Sequence, residues 1–196
     1  MIKISTQSGF SLVETLVAVT ILLIVIVGPM KISSQAAKSS SFSSEQVTAF
    51  FLAQEGIELI EKGRDDLLLQ NFAGSMAKPW TEFTKTTGAG PYRLCYNGTG
   101  CGTTINQDSK GTLSTAKDCA TLTNCLLYRD STGPRSSFTH TVTAIPTLYT
   151  RVITMVKIGA GDEVKITSTV TWRTGSLKNS QTVSVETRLF NVYGNS

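Results

Sequence analysis

Few residues in this chain are placed to do chemistry. Four cysteines stand as Cys95-x5-Cys101 and Cys119-x5-Cys125. An even set at paired spacing can close disulfides in an oxidising compartment or hold zinc. Structural zinc takes about two to four residues between paired ligands, so a gap of five favours disulfides and argues against a metal site. Three pairings are open, and the two local bridges are the simplest. A second group is the carboxylate Glu14, the one ionisable residue between Phe10 and Val27. A charge in hydrocarbon costs at least ~2.5 kcal/mol, so this one needs a partner. His140 is the only histidine; in its Thr-rich β-run it reads as a surface or strand residue. Glu55, Glu58 and Glu61 read as the solvated side of a helix, with Glu58 and Lys62 at i and i+4 as a pair worth a few tenths of a kcal/mol. Neither a nucleophile elbow, a phosphate-binding glycine loop nor a metal-ligand cluster is visible. No enzyme is expected, and no cofactor.

The elements that position these residues follow from hydropathy. From Phe10 to Val27 the run is nearly apolar and, as a helix, would be ~27 Å long, close to a bilayer's hydrocarbon thickness of roughly 30 Å. Gly28-Pro29 ends it with two helix breakers; Pro29 has no amide for the Val25 carbonyl, and a kink or local unwinding is expected. Seven serines between Ser33 and Ser44 make the next stretch weakly helical by itself. Val47, Phe50, Ala53, Ile57 and Ile60 then recur at helical steps, with Leu52 and Leu59 as a second, narrower face. Such a helix suits packing on its own sheet and against other subunits, and equally being wedged inside a single domain.

Between Asn71 and Pro134 loop chemistry dominates, and three of the five prolines lie there. Tyr92-Arg93-Leu94-Cys95-Tyr96 and Cys125-Leu126-Leu127-Tyr128 are the expected strands. Trp80 and Phe83 read as core cover, with a binding surface as the alternative. Asn97-Gly98-Thr99 fits a glycosylation acceptor, a triplet common by chance, and no role is assigned to it. From Phe138 onward the pattern is cleaner. Val164, Ile166, Ser168, Val170 and Trp172 alternate with polar residues as in a half-buried strand. Tyr149 to Ile158 precedes it across a Gly159-Ala160-Gly161-Asp162 turn, and Thr182 to Val192 follows, giving an antiparallel meander whose apolar face the helix can cover. The 196 residues, 40% apolar, suffice for one globular domain besides the anchor, and the net charge of +4 is spread too evenly for a nucleic-acid stripe.

A short polar leader ending in Gly9, then Phe10, then Glu14 five residues after that glycine, then an apolar helix: this resembles the N-terminus of type IV pilins and pseudopilins. Ala53-Gln54-Glu55-Gly56-Ile57-Glu58 and the run from Val170-Thr171-Trp172-Arg173 to Leu189 are similar to the corresponding parts of minor pilins; the middle is unmatched. The resemblance implies an α+β fold, a long N-terminal helix whose first half spans the membrane, packed on a C-terminal antiparallel sheet. The expected parts are a leader (1–9), a transmembrane and assembly helix (10–29), the amphipathic continuation of that helix (30–72), a variable cysteine-bearing excursion (73–135) and the sheet (136–196).

The resemblance further implies cleavage between Gly9 and Phe10 by a prepilin peptidase, N-methylation of Phe10, and pairing of Glu14 with the Phe10 amine of a neighbouring subunit. It implies a partly unwound helix near Gly28 and Pro29 in the assembled filament. The implied partners are other pilin subunits, the peptidase, the inner membrane and the pilus assembly platform; a surface or DNA ligand is left open. The implied location is the inner membrane, single-pass with the N-terminus inside, followed by a pilus outside the cell or a periplasmic pseudopilus. A minor pilin is the reading favoured, against a minor pseudopilin of a type II secretion system and a membrane-anchored binding module. An ordinary secretory signal, with small residues at Ser34-Gln35-Ala36, would leave Glu14 unexplained and has an overlong apolar run.

Overall fold

A computed structural model describes Gly9 and residues 11–74, 78–106, 111–131, 137–142, 144–174 and 179–192. The expected leader apart from Gly9, and the expected methylation site Phe10, lie outside the described residues. The chain divides into two compact units, Met1–Ser44 and Glu45–Ser196. Helix α1, Leu12–Phe72, contributes to both.

In the first unit α1 is helical throughout, and every described residue up to Ser41 is exposed. The hydroxyls in its apolar stretch turn back on the helix: Thr15 Oγ1 donates to the Leu12 carbonyl (2.9 Å) and Thr20 Oγ1 to that of Leu16 (2.7 Å). This satisfies each hydroxyl within its own helix. Helix α1 runs continuously through Gly28 and Pro29. Proline removes only one ladder bond, and the intact turns on either side carry the helix across the gap.

The second unit is built on a seven-stranded antiparallel sheet. The long strand β5 (Ile145–Ile158) is its axis. On one edge β5 pairs with β6 (Glu163–Trp172), which pairs with β7 (Gln181–Phe190). Its other edge is shared end to end by β3 (Leu126–Asp130), carrying β4 (Ser137–Thr139), and by β1 (Cys101–Gly102), carrying β2 (Lys117–Asp118). The β5–β6 turn uses Gly159 and Gly161 at φ +59° and +98°, conformations that glycine adopts freely. Alternation along β6 is as expected: Val164, Ile166, Ser168, Val170 and Trp172 are all buried. Residues 45–72 of α1 cover this face, giving the α+β arrangement of a long N-terminal helix packed on a C-terminal antiparallel sheet.

The buried stripe is rotated from the expected apolar face but keeps three of its five residues, Ala53, Ile57 and Ile60. Ala49, Leu52, Ala53, Gly56, Ile57, Leu59, Ile60, Gly63 and Leu67 face the core, so Leu52 and Leu59 join the buried stripe while Val47 and Phe50 are exposed. Small residues explain the rotation. A Cβ on Gly56 would overlap Ser168 Oγ, and one on Gly63 would overlap the Tyr92 hydroxyl. Glycine over serine brings helix and sheet backbones close, and Ile57, Leu59 and Ile60 then reach the core, each worth about 1.5–3 kcal/mol on burial.

Lys62 pairs with Asp66 at 2.8 Å rather than with Glu58, since both spacings are i, i+4 and only one can be filled. Trp80 and Phe83, on the short helix α2 (Pro79–Phe83), are buried with ring centroids 5.5 Å apart, and Trp80 Nε1 donates to the Gly161 carbonyl at 2.8 Å. Arg93–Tyr96 is a 3-10 turn and not the expected strand. The bridge Cys95–Cys101 holds its Cα atoms 4.5 Å apart, whereas an extended segment of that length would span roughly 20 Å.

Candidate functional site

Glu14 lies in the first turn of α1, on the apolar stretch that includes Leu12, Val13, Leu16 and Val17, all well exposed. A carboxylate there sits favourably against the positive end of the helix dipole. Among the described residues it has no ion pair or hydrogen bond, in contrast to Thr15 and Thr20 beside it. Gly9 is exposed just ahead of the helix, and a Cβ there would meet nothing within 4 Å. This helix is long and apolar enough to cross a membrane, and none of its most apolar window is buried in the fold. Buried core helices pass the same length test, but their apolar faces are covered; here the apolar surface is open all round, as a lipid-facing or helix-facing segment requires.

The four cysteines form two local bridges, Cys95–Cys101 and Cys119–Cys125, and all four are buried. Among the described residues no group of three His, Cys, Asp or Glu is arranged to hold a metal ion. The first bridge lies beside β1, whose Cys101 pairs with Ile153 in the central strand. Loops with little core of their own are thereby tied to the sheet.

Farther along α1, Phe50 and Phe51 stack edge to face at 6.2 Å and project outward, with Phe51 62% exposed. At the end of the helix an apolar groove of about 410 Å³ is lined by Leu69, Phe72, Trp80, Phe190 and Val192, with Arg64 and Asp65 at its rim.

Two residues matter more than the sequence suggested. Arg151 is fully buried in β5. Its NH1 donates to the Leu52 carbonyl (3.1 Å) and to Glu55 (2.9 Å), and its NH2 to the Thr103 carbonyl (3.0 Å). Glu55, expected on a solvated side, is thus half-buried as the counter-ion of a core arginine. Burial pulls the Arg151 pKa down while Glu55 opposes that shift. The period-two pattern of β5 was the available signal, since it places position 151 on the inward face with Ile153 and Met155.

His140, expected at the surface or in a strand, directly follows β4 and is 4% exposed. Its Nδ1 hydrogen-bonds the Leu126 carbonyl at 3.0 Å, which selects the neutral tautomer with the proton on Nδ1, and Nε2 has no partner. Burial depresses its pKa to about 4; the Leu126 bond opposes this, and the charges of Arg151 and Lys117 add to it. Nothing on the isolated sequence distinguished this histidine from a surface one.

Residues 4–28 match the family model described as the prokaryotic N-terminal methylation motif. Comparison with curated proteins and with solved structures finds no match. The matched segment contains Gly9, Phe10, Glu14 and the whole apolar run to Val27, and includes no part of the domain that follows.

Proposed function

We propose that this chain is a prepilin whose mature form is a minor subunit of a type IV pilus. The observation that carries the reading is the methylation motif over residues 4–28, ending in an exposed apolar helix with one unpaired carboxylate. In this reading a prepilin peptidase cuts between Gly9 and Phe10 and methylates the Phe10 amine. The apolar helix stores the subunit in the inner membrane. Glu14 and the amine of a neighbouring Phe10 are each unpaired in hydrocarbon, where a lone charge costs at least ~2.5 kcal/mol, so they are drawn together. Extraction then exchanges lipid contacts for helix contacts, and the sheet domain stays on the outside, offering Phe50, Phe51 and the groove at the end of α1 to other subunits. Partial unwinding at Gly28 and Pro29 during packing belongs to the same proposal. It is favoured by the Val25 carbonyl, which proline leaves without its helical donor.

Replacement of Glu14 by Ala or Gln tests this. The variants should accumulate in membranes at the wild-type level yet be missing from sheared surface filaments. Equal incorporation of wild type and variant would refute the pairing. Filaments absent from the cell surface, with a type II secretion defect in the same variants, would move the subunit to a pseudopilus.

A further inference from the structure

Arg151 is the charged side chain that is wholly buried among the described residues, and its guanidinium reaches two separate parts of the fold. One end is spent on α1, through the Leu52 carbonyl and the Glu55 carboxylate. The other end is spent on Thr103, two residues beyond Cys101. Nε has no acceptor, so the buried charge depends on these three contacts. Removing any one leaves a buried cation short of an acceptor, which costs far more than losing an exposed hydrogen bond.

What keeps Thr103 in reach is the segment on either side of it. Cys101 is fixed to Cys95 by the bridge and to Ile153 by its strand pairing; beyond it, Thr103 Oγ1 donates to the Ser114 carbonyl at 3.0 Å. Cys95, Cys101 and Thr103 are all fully buried. On the helix side the fit is equally tight, because a Cβ on Gly56 would lie 3.1 Å from Arg151 Cδ. The helix therefore cannot shift over the sheet without displacing the arginine, and the arginine cannot move without giving up Thr103.

We propose that Arg151 couples closure of the Cys95–Cys101 bridge to the docking of α1 on the sheet. The bridge holds the Thr103 carbonyl where one end of the guanidinium can use it, and the other end then holds the helix. A subunit with this bridge open has a loosened helix in the Leu52–Ile57 turns, while the β6–β7 hairpin, which Arg151 does not touch through these bonds, keeps its order. The Cys119–Cys125 bridge makes none of these bonds to Arg151 or Thr103; it meets the neighbouring residues through the Cys119 N–H, which donates to the Gly100 carbonyl at 3.2 Å, and through Cys125 beside Gly102.

Hydrogen exchange on the full chain in detergent micelles tests the coupling. Against the wild type, Cys95→Ala/Cys101→Ala should speed exchange of the Leu52–Ile57 amides by about tenfold, the loss of one hydrogen bond to a charged group. Amides of β6 and β7 should be unchanged. With Arg151→Met in the background, the same cysteine changes should add nothing at those helix amides. Equal acceleration in both backgrounds, or none in either, would overturn the proposal. If the cysteine variant does not fold, the reciprocal measurement decides. Arg151→Met keeps all four cysteines, and under limiting phosphine reductant its Cys95 and Cys101 should be alkylated about tenfold faster than in the wild type, with Cys119 and Cys125 at their wild-type rates. A uniform change across the four, or no change, contradicts the coupling.

Discussion

Lowering the pH from 7 to 5 should remove about 2 kcal/mol of folding stability through His140 alone. Its pKa is about 4 in the folded chain against an ordinary 6.5, because burial excludes the imidazolium and the nearby charges of Arg151 and Lys117 oppose it. Lys117 also donates to the His140 carbonyl at 3.1 Å. Between these two pKa values the unfolded chain binds a proton that the folded chain refuses, so stability rises with pH across the window. The contribution is nearly intact at pH 7, falls as the pH drops below 6.5, reaches a loss of about 3 kcal/mol near pH 4, and flattens below that. The assay is urea unfolding of the full chain in detergent at pH 7, 6, 5 and 4, compared with His140→Gln. Exposed carboxylates titrate alike in both proteins and cancel in the difference. The wild type should lose about 2 kcal/mol more than the variant between pH 7 and 5. Parallel curves for the two proteins would refute the buried, neutral assignment.

Gly56→Val should destabilise the domain by about 1–3 kcal/mol, seen as a lower Tm, because the added atoms overlap Ser168 and crowd Arg151. Adding Ser168→Gly should recover part of that loss. Phe51→Ser removes a ring that is mostly exposed, so folding stability should hold within about 0.5 kcal/mol while incorporation into filaments falls. An equal loss of both would make Phe51 a folding residue instead. Trp80→Phe should cost more than the ~1 kcal/mol of the lost bond to the Gly161 carbonyl, because the smaller ring also leaves a void in the core, measurable by thermal unfolding.

The sheet was readable because its signal is local. Period-two alternation in β6 and the glycine turn before it specify inward and outward faces with no further information. The helix was readable in extent and in part of its face. The apolar steps placed Ala53, Ile57 and Ile60 inward as found and Val47 and Phe50 inward where they are exposed, because the buried side also turns on Ala49, Gly56 and Gly63, whose contribution is the absence of side chain. That depends on what lies opposite, Ser168 and Tyr92, and no local pattern records it. The 3-10 turn at Arg93–Tyr96 was missed for a similar reason, since a covalent bridge overrode the β-propensity of Tyr92 to Tyr96. Of the candidate site, the N-terminal segment was legible because its chemistry is contiguous: a glycine, an aromatic, and a carboxylate in a greasy run. Arg151 and Glu55 stand 96 residues apart, and their meeting follows from the fold alone.

The mass of the mature N-terminus tests the central claim most directly. Protein recovered from native membranes should begin at Phe10 and carry one methyl group on its amine, in the wild type and in Glu14→Ala alike. An intact chain starting at Met1, or a mature end near Ala37, would contradict the prepilin reading and leave a plain anchor or a secreted domain.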